Sequence, residues 1–149
     1  MSHATPDCPL CREAGGLLIA NTPRWRVVRV TDTPAFPAFY RLIWNRHVAE
    51  FSDLDAAERA DCMEAVAGIE RLLRQALSPG KINLASLGNM VPHLHWHVIA
   101  RFDWDSHFPN PIWGEARRAP DEGAARLAAL ARALPALDER LAQTFAPTA

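Results

Sequence analysis

Histidine and apolar residues alternate strictly over a short central run, and this alternation constrains the fold more than any other feature of the chain. The run reads His93-Leu94-His95-Trp96-His97, and Val98-Ile99-Ala100 follows it directly. A repeat of two is the repeat of a β-strand, which puts the three imidazoles on one face and the apolar side chains on the other. Neighbouring imidazoles are then attached about 6.5 Å apart. We predict a strand from His93 to about Phe102 that carries a row of histidines.

Four interpretations of this histidine row are open from the residues themselves. The histidines are structural, in which case they need hydrogen-bond partners. They bind a metal, since two histidines two residues apart on a strand can share one ion. They bind phosphate without chemistry, or one imidazole attacks phosphorus in a covalent transfer. Amide, hydroxyl and backbone donors just upstream favour a bound phosphate over a lone metal; they belong to Asn83, Ser86, Gly88 and Asn89.

Composition limits the class of protein. The chain has 149 residues, 49% of them apolar, which predicts a single domain spanning 1–149 with a proper core. Its formal net charge of −1 argues against a nucleic-acid polymer or an anionic membrane as partner. No segment has the pattern of a membrane span or a secretion signal, and three cysteines do not suggest a disulfide framework. We expect a cytoplasmic protein with reduced thiols.

The remaining pattern predicts an α+β fold. Strands are expected over 17–20, 25–30, 39–44 and 81–85, each short and rich in β-branched or aromatic residues. A long helix is expected to begin after Asp55, with Glu58 as the reciprocal cap, and to end at Ser78-Pro79-Gly80. Its apolar stripe includes Cys62, predicted as a core residue. A C-terminal leucine stripe starts near Asp121 and predicts a last helix that Pro135 kinks or splits. The sheet has about five strands and is mostly antiparallel.

The run from His93 to Ile99 resembles the His-φ-His-φ-His-φ-φ signature of the histidine-triad (HIT) family, where φ is apolar. Upstream Asn83 and Gly88-Asn89 extend the match, as does the order of strands and helix. The resemblance covers about 14–110 and implies a HIT-like fold, with 1–13 as a separate N-terminal segment and 115–149 as a helical extension.

The resemblance also implies an activity. Family members are nucleotide hydrolases and transferases that act on the α-phosphate of a nucleoside conjugate. His95 would be the nucleophile of a covalent nucleotidyl-histidine intermediate, which water hydrolyses, and His97 would hydrogen-bond the phosphate and help protonate the leaving group. His93 completes the catalytic set. Substrate-binding roles fall to Asn83, Gly88 and the backbone near Asn89, and catalysis itself requires no metal.

Departures from the family pattern leave the substrate open. Many members carry Gln-Ser where this chain has Asn89-Met90, and Pro92 lacks a backbone donor. Dinucleoside polyphosphates, nucleoside phosphoramidates and nucleotide-sugar-like compounds are the candidate substrates. One alternative is a catalytically weak nucleotide-sensing module. Another is a metal-dependent hydrolase with the three histidines as joint ligands, for which nearby carboxylates are scarce, because Asp103 and Asp105 are predicted as solvated turn residues.

The pair Cys8-x-x-Cys11 is half of a zinc motif. Some HIT relatives, including galactose-1-phosphate uridylyltransferases, complete such a site with a histidine after the third strand and the first triad histidine. The resemblance therefore implies a structural zinc on Cys8, Cys11, His47 and His93. The alternative is two free thiols on a mobile tail.

Two further features carry expectations. The stretch 107–114, with Trp113, either shapes the leaving-group side of the pocket or packs the tryptophan on the core. The C-terminal leucine stripe is either core or a dimer contact, and the resemblance implies a homodimer.

Overall fold

A five-stranded antiparallel sheet organises residues 4–146, the part of the chain that this computed structural model describes. The strands are β1 (Leu17–Asn21), β2 (Trp25–Arg29), β3 (Phe39–Trp44), β4 (Lys81–Ala85) and β5 (His95–Arg101), in the spatial order β1-β2-β3-β5-β4. The helices are a short α1 (Pro9–Arg12), α2 (Ala56–Leu77) and α3 (Ala124–Thr144). The predicted α+β architecture is confirmed. Across the described residues, no helix has both the length and the apolar character that a bilayer span requires.

The pleat of the sheet separates a core face from a second face that we call the histidine face. Side chains of Leu42, Trp44 and Val98 lie in the main core with those of α2 and α3. The intervening residues of β3 and β5 point the other way. Register pairs Arg41 with His97, and Ile43 with His95, so these four side chains share the histidine face.

Helix α2 begins and ends where local sequence chemistry predicts. Asp55 accepts a hydrogen bond from the Glu58 amide, and the Glu58 carboxylate accepts one from the Asp55 amide. Ser78 ends the helix in the left-handed conformation, with φ at 47°. Cys62 is fully buried in the core, as predicted, and this burial raises the pKa of its thiol to about 11.

Helix α3 runs through Pro135 without a break, so the predicted split is wrong. Leu134 and Leu137 are buried on either side of the proline and anchor both halves to the core. Asp138 adds a polar anchor, because its carboxylate accepts hydrogen bonds from Arg29 of β2 and from the Tyr40 hydroxyl of β3. Packing on both sides offsets the one backbone donor that proline lacks.

Strand β5 begins at His95, two residues later than predicted. Pro92 has no N–H, and the His93 amide donates to the Val91 carbonyl in a tight turn. The prediction of three imidazoles on one strand face is therefore wrong for His93. That residue lies just before the strand, and its ring contacts a different set of side chains.

Asp105 is buried, which corrects its prediction as a solvated turn residue. Its carboxylate forms a bidentate ion pair with the buried guanidinium of Arg101, at 2.8 and 3.0 Å. Burial by itself would raise the pKa of Asp105. Hydrogen bonds from Arg101 and from the amides of Phe102, His107 and Phe108 outweigh this effect and lower the pKa. The pair fixes the segment that follows β5.

Replacement of Asp105 by alanine is expected to lower the free energy of unfolding by about 3–5 kcal/mol, because it leaves the Arg101 charge buried and uncompensated. Urea denaturation measures the change. The control is Asp103→Ala, an exposed carboxylate expected to cost less than about 0.5 kcal/mol. The pKa of Asp105 is lower in the folded protein than in the unfolded chain. Its contribution to the free energy of unfolding is therefore fully present above the unfolded-state pKa and is lost as the pH falls through the folded-state pKa. Equal effects of the two variants would contradict a buried ion pair.

Candidate active site and metal cluster

One hydrogen bond fixes the imidazole of His95 at the start of β5. Nδ1 lies 2.6 Å from the main-chain carbonyl oxygen of His93. A carbonyl oxygen only accepts, so Nδ1 carries the proton and Nε2 presents its lone pair. The Ser86 hydroxyl donates to the His95 carbonyl at 2.9 Å and ties this point of β5 to the residue after β4. The ring is therefore held in the tautomer that a nucleophile needs.

His97 lies beside His95 on the same face, with ring centroids 4.9 Å apart. The ring packs between Phe39, at 5.3 Å, and Trp113, at 5.2 Å. Burial, with smaller contributions from His95 and Arg41, lowers the pKa of His97 to about 3, so the imidazole is neutral at neutral pH. Its Nδ1 is buried without a hydrogen-bond partner among the described residues. Buried polar atoms normally have a hydrogen-bond partner, and this nitrogen lacks one within residues 4–146.

His95 lines two cavities, although only 8% of its surface is exposed. The larger cavity, about 370 Å³, mixes apolar and charged side chains, among them those of Leu10, Val30, Asp32 and Arg41. The smaller cavity, about 240 Å³, is lined by Ser86, Gly88 and His93, among others. The ring therefore borders open space on two sides and is not enclosed by aliphatic neighbours.

A second cluster lies on the same side of the sheet as the histidine face, where α1 meets the turn before β5. Its members are Cys8, Cys11, His47 and His93, whose ligand atoms all lie within 4.8 Å of one another. The Nδ1 atom of His93 is 3.4 Å from Cys8 Sγ, 3.5 Å from Cys11 Sγ and 3.2 Å from His47 Nδ1. These four residues could hold a metal ion, and they are the ligand set that the family resemblance implies.

The spacing fits a tetrahedral zinc ion. Zinc bonds of about 2.3 Å to sulfur and about 2.0–2.1 Å to nitrogen place neighbouring ligand atoms roughly 3.3–3.8 Å apart. The three distances to His93 Nδ1 match this range to about 0.1 Å. Nε2 of His93 donates to the Trp44 carbonyl at 2.6 Å, which leaves the lone pair of Nδ1 directed at the cluster. Two thiols and two imidazoles are the donor set that zinc prefers.

Arg26 holds the short helix in place beside this cluster. Its guanidinium donates to the Leu10, Glu13 and Ala14 carbonyls at 2.7 to 3.1 Å, and to Asn45 at 3.1 Å. The N-terminal segment is thus tied to β2 by hydrogen bonds from one arginine side chain.

The predicted substrate-binding residues have different surroundings. Asn83 lies on the histidine face, but its side-chain oxygen accepts a hydrogen bond from Arg101 at 2.8 Å. Gly88 has a φ of 73° and lines the smaller cavity, where a backbone without a side chain leaves room. The side chain of Asn89 is exposed beyond it. Their contact with substrate stays a prediction.

Trp113 is 52% exposed, so its interpretation as a core residue is wrong. Its ring covers His97 from the solvent side. Arg41 lines the larger cavity with His95 and is not among the predicted site residues. An arginine in the middle of an otherwise apolar strand was the feature that could have indicated it.

Comparison with known proteins agrees with this geometry. The family model described as "HIT domain" matches residues 16–104, which is more than half of the chain. The chain belongs to the HIT family. Membership supports a nucleotide-binding or hydrolase-type module, and the predicted histidine-triad resemblance is confirmed.

Solved structures of other HIT proteins share the fold. A histidine triad protein from Bradyrhizobium japonicum is 30% identical with a TM-score of 0.64, over 83% of this chain and 90% of that one. A HIT protein from Sinorhizobium meliloti 1021 is 29% identical with a TM-score of 0.65, over 91% and 98%. One from Marinobacter aquaeolei VT8 is 25% identical with a TM-score of 0.65, over 86% and 92%. No curated protein sequence matches the chain significantly.

Proposed function

We propose that this HIT protein hydrolyses or transfers nucleotidyl groups through a covalent intermediate on His95. The observation that supports this most is the hydrogen bond from His95 Nδ1 to the His93 carbonyl, because it leaves Nε2 deprotonated at the edge of two cavities. A neutral imidazole in a fixed orientation is a competent nucleophile near pH 7 and a good leaving group afterwards.

In the first half of the reaction, His95 Nε2 attacks the α-phosphorus of a nucleoside conjugate. A phosphorus–nitrogen bond forms, and the bond from phosphorus to the leaving group breaks with its electron pair. When substrate binds, His97 takes up one proton from solvent, which the negative charge of the phosphate stabilises, and it then gives this proton to the leaving group. The position of His97 beside His95, with ring centroids 4.9 Å apart, supports this role.

In the second half, water attacks the same phosphorus atom and the phosphorus–nitrogen bond breaks. The electron pair returns to Nε2 of His95, and the proton lost by water returns to His97. The sum is one nucleoside conjugate plus water giving one nucleoside monophosphate plus the protonated leaving group. His97 then releases one proton to solvent, which balances the proton taken up on substrate binding, and both histidines end neutral.

The larger cavity supports a nucleotide as the partner. Apolar side chains of Leu10 and Val30 suit the faces of a base, and the Asp32 carboxylate suits sugar hydroxyls. Dinucleoside polyphosphates, nucleoside phosphoramidates and nucleotide-sugar-like compounds all present such a group. A panel of these conjugates with product identification by mass spectrometry tests the activity. We expect a nucleoside monophosphate from at least one class, and no product from any class would contradict the proposal.

A nucleotide-sensing module is the second candidate, favoured by the exposure of Asn89 and Met90 where family members offer further phosphate contacts. Titration calorimetry separates the two candidates. Micromolar nucleotide binding with no product over hours would support sensing over catalysis.

We also propose that the four-residue cluster holds a structural zinc ion. Four protein ligands complete a tetrahedral shell, and a catalytic zinc ion keeps one position open for water or substrate. When bound, the ion would supply rigidity, because it would join α1 to His93 and so support the carbonyl that orients His95. This proposal assigns the metal and the phosphoryl chemistry to different residues.

We also propose that the protein is a homodimer and that it is located in the cytoplasm. Strand β4 is an edge of the sheet, and Leu84 on it is 43% exposed, which suits pairing with a second copy. Light scattering on the purified chain tests the dimer, and a monomer at micromolar concentration would contradict it. Unpaired cysteines at 8, 11 and 62 suit a reducing compartment.

A further inference from the structure

Among the arginines of the sheet, Arg41 has the fewest side-chain hydrogen bonds. Its Nη1 donates to the Gly15 carbonyl at 3.1 Å, while its Nε is buried without a hydrogen-bond partner. Within residues 4–146, no carboxylate lies within ion-pair distance of its guanidinium. Buried charges in proteins are normally paired, since removal from water is costly.

The other arginines of the sheet have ion-pair or hydrogen-bond partners around their guanidinium groups. Arg29 pairs with Asp138, and Arg101 pairs with Asp105. Arg26 has four hydrogen-bond acceptors around its guanidinium. In each of these arginines, the contacts within the protein account for the charge. Among the described residues, the Arg41 side chain has only one hydrogen bond, to a carbonyl oxygen, and one contact with the face of the Phe39 ring, 5.5 Å from the guanidinium carbon.

The position of Arg41 indicates what its charge is for. It is paired across the sheet with His97, on the same face as His95, and it lines the larger cavity together with His95. The Asp32 carboxylate lines the same cavity within electrostatic reach of the guanidinium, but beyond ion-pair distance. Gly15 and Gly16 line the same cavity with φ of 87° and 152°, and a Cβ atom there would meet Ile43 at 2.7 Å and the Arg29 carbonyl oxygen at 2.6 Å, respectively.

We propose that Arg41 is a specificity residue that binds a non-bridging oxygen of the phosphate attacked by His95. This inference rests on the proposed function and deepens it. A guanidinium presents several donors and keeps its charge at all working pH values. It therefore binds a phosphate oxygen more strongly than it binds an uncharged acceptor. The chain thereby selects nucleoside phosphates over uncharged nucleosides, and it supplies a fixed positive charge where negative charge develops on the phosphoryl oxygens.

The experiment compares nucleotide and nucleoside binding by titration calorimetry. Each of the four ribonucleoside monophosphates and its nucleoside is titrated into the wild type, Arg41→Leu and Arg41→Lys. We expect Arg41→Leu to weaken binding of the preferred monophosphate by about 10- to 100-fold and to change binding of the nucleoside by less than about twofold. Arg41→Lys keeps the charge and is expected to recover part of the loss.

The matched control is Arg24→Leu, which removes the same charge from an exposed arginine paired with Asp61, away from the histidine face. It is expected to leave monophosphate binding unchanged. Unchanged monophosphate binding in Arg41→Leu would overturn the proposal, and so would an equal loss for the nucleoside, which would indicate recognition of the base. If Arg41→Leu does not fold, Arg41→Gln removes the charge with a smaller change in shape, and unchanged monophosphate binding in that variant would overturn the proposal as well. Absence of nucleotide binding by the wild type would instead contradict the proposed function itself.

Discussion

Replacement of His95 by asparagine is expected to reduce turnover of a nucleotide conjugate by about 10⁴-fold or more. Asparagine can keep a hydrogen bond to the His93 carbonyl through its amide group, but it has no nucleophilic nitrogen. The cavity beside the ring loses little of its lining, so nucleoside monophosphate binding is expected to stay within a few-fold of the wild-type value. Steady-state rates and calorimetry on the same preparation measure the two effects.

The control for this variant is His107→Asn. His107 bonds Ser106 through Nδ1 and packs on Phe36, outside both histidine clusters. It is expected to leave the rate nearly unchanged. A His95→Asn variant that turns over substrate at the wild-type rate would remove His95 from the mechanism. A variant that loses binding and rate together would indicate a structural role.

Replacement of Cys11 by serine is expected to abolish stoichiometric zinc binding. One thiolate fewer leaves three ligands, and the loss in affinity should exceed the roughly 10- to 100-fold that second-shell changes cost. Zinc binding is coupled to folding, so the melting temperature should fall as well, and the melting temperature of the wild type should fall on treatment with a chelator. Metal analysis by mass spectrometry gives about one zinc ion per chain for the wild type and close to none for the variant.

Cys62→Ser is the matched control, because Cys62 is a buried thiol on α2 that is not part of the metal cluster. It is expected to reduce stability through a buried hydroxyl and to leave the zinc content at about one. Equal zinc content in Cys11→Ser and the wild type would contradict the cluster. A wild type that is fully folded, free of zinc and reactive at Cys8 would contradict it too.

Local chemistry explains why much of the fold could be predicted from the sequence. Strand β3 has the predicted bounds because aromatic and β-branched residues fill it, and α2 follows its capping box and its stop at Ser78. Where the structure differs, a non-local contact decides. His93 leaves the strand because its Nε2 donates to the Trp44 carbonyl, and Asp105 is buried because Arg101 is there to pair with it.

Some residues of the candidate site could likewise be predicted from a local pattern, and others could not. The alternation from His93 to His97 was enough to indicate the imidazoles of His95 and His97 on one face. The resemblance was needed to join Cys8 and Cys11 to His47 and His93, since residues so far apart in the chain have no common local pattern. The missing hydrogen-bond partner of Arg41 Nε could not be predicted, because the sequence does not show which acceptors a strand arginine lacks.

The most direct test of the account is capture of the covalent intermediate. A nucleotide conjugate that the protein turns over is mixed with the wild type and with His97→Asn, quenched in alkaline denaturant within milliseconds to seconds, and analysed by intact and peptide mass spectrometry. We predict a mass increase of one nucleotidyl group on the peptide that contains His95, and an adduct in His97→Asn that forms and decays more slowly because proton transfer is impaired in both half-reactions. Turnover with no adduct at any time, or an adduct on another residue, would contradict it.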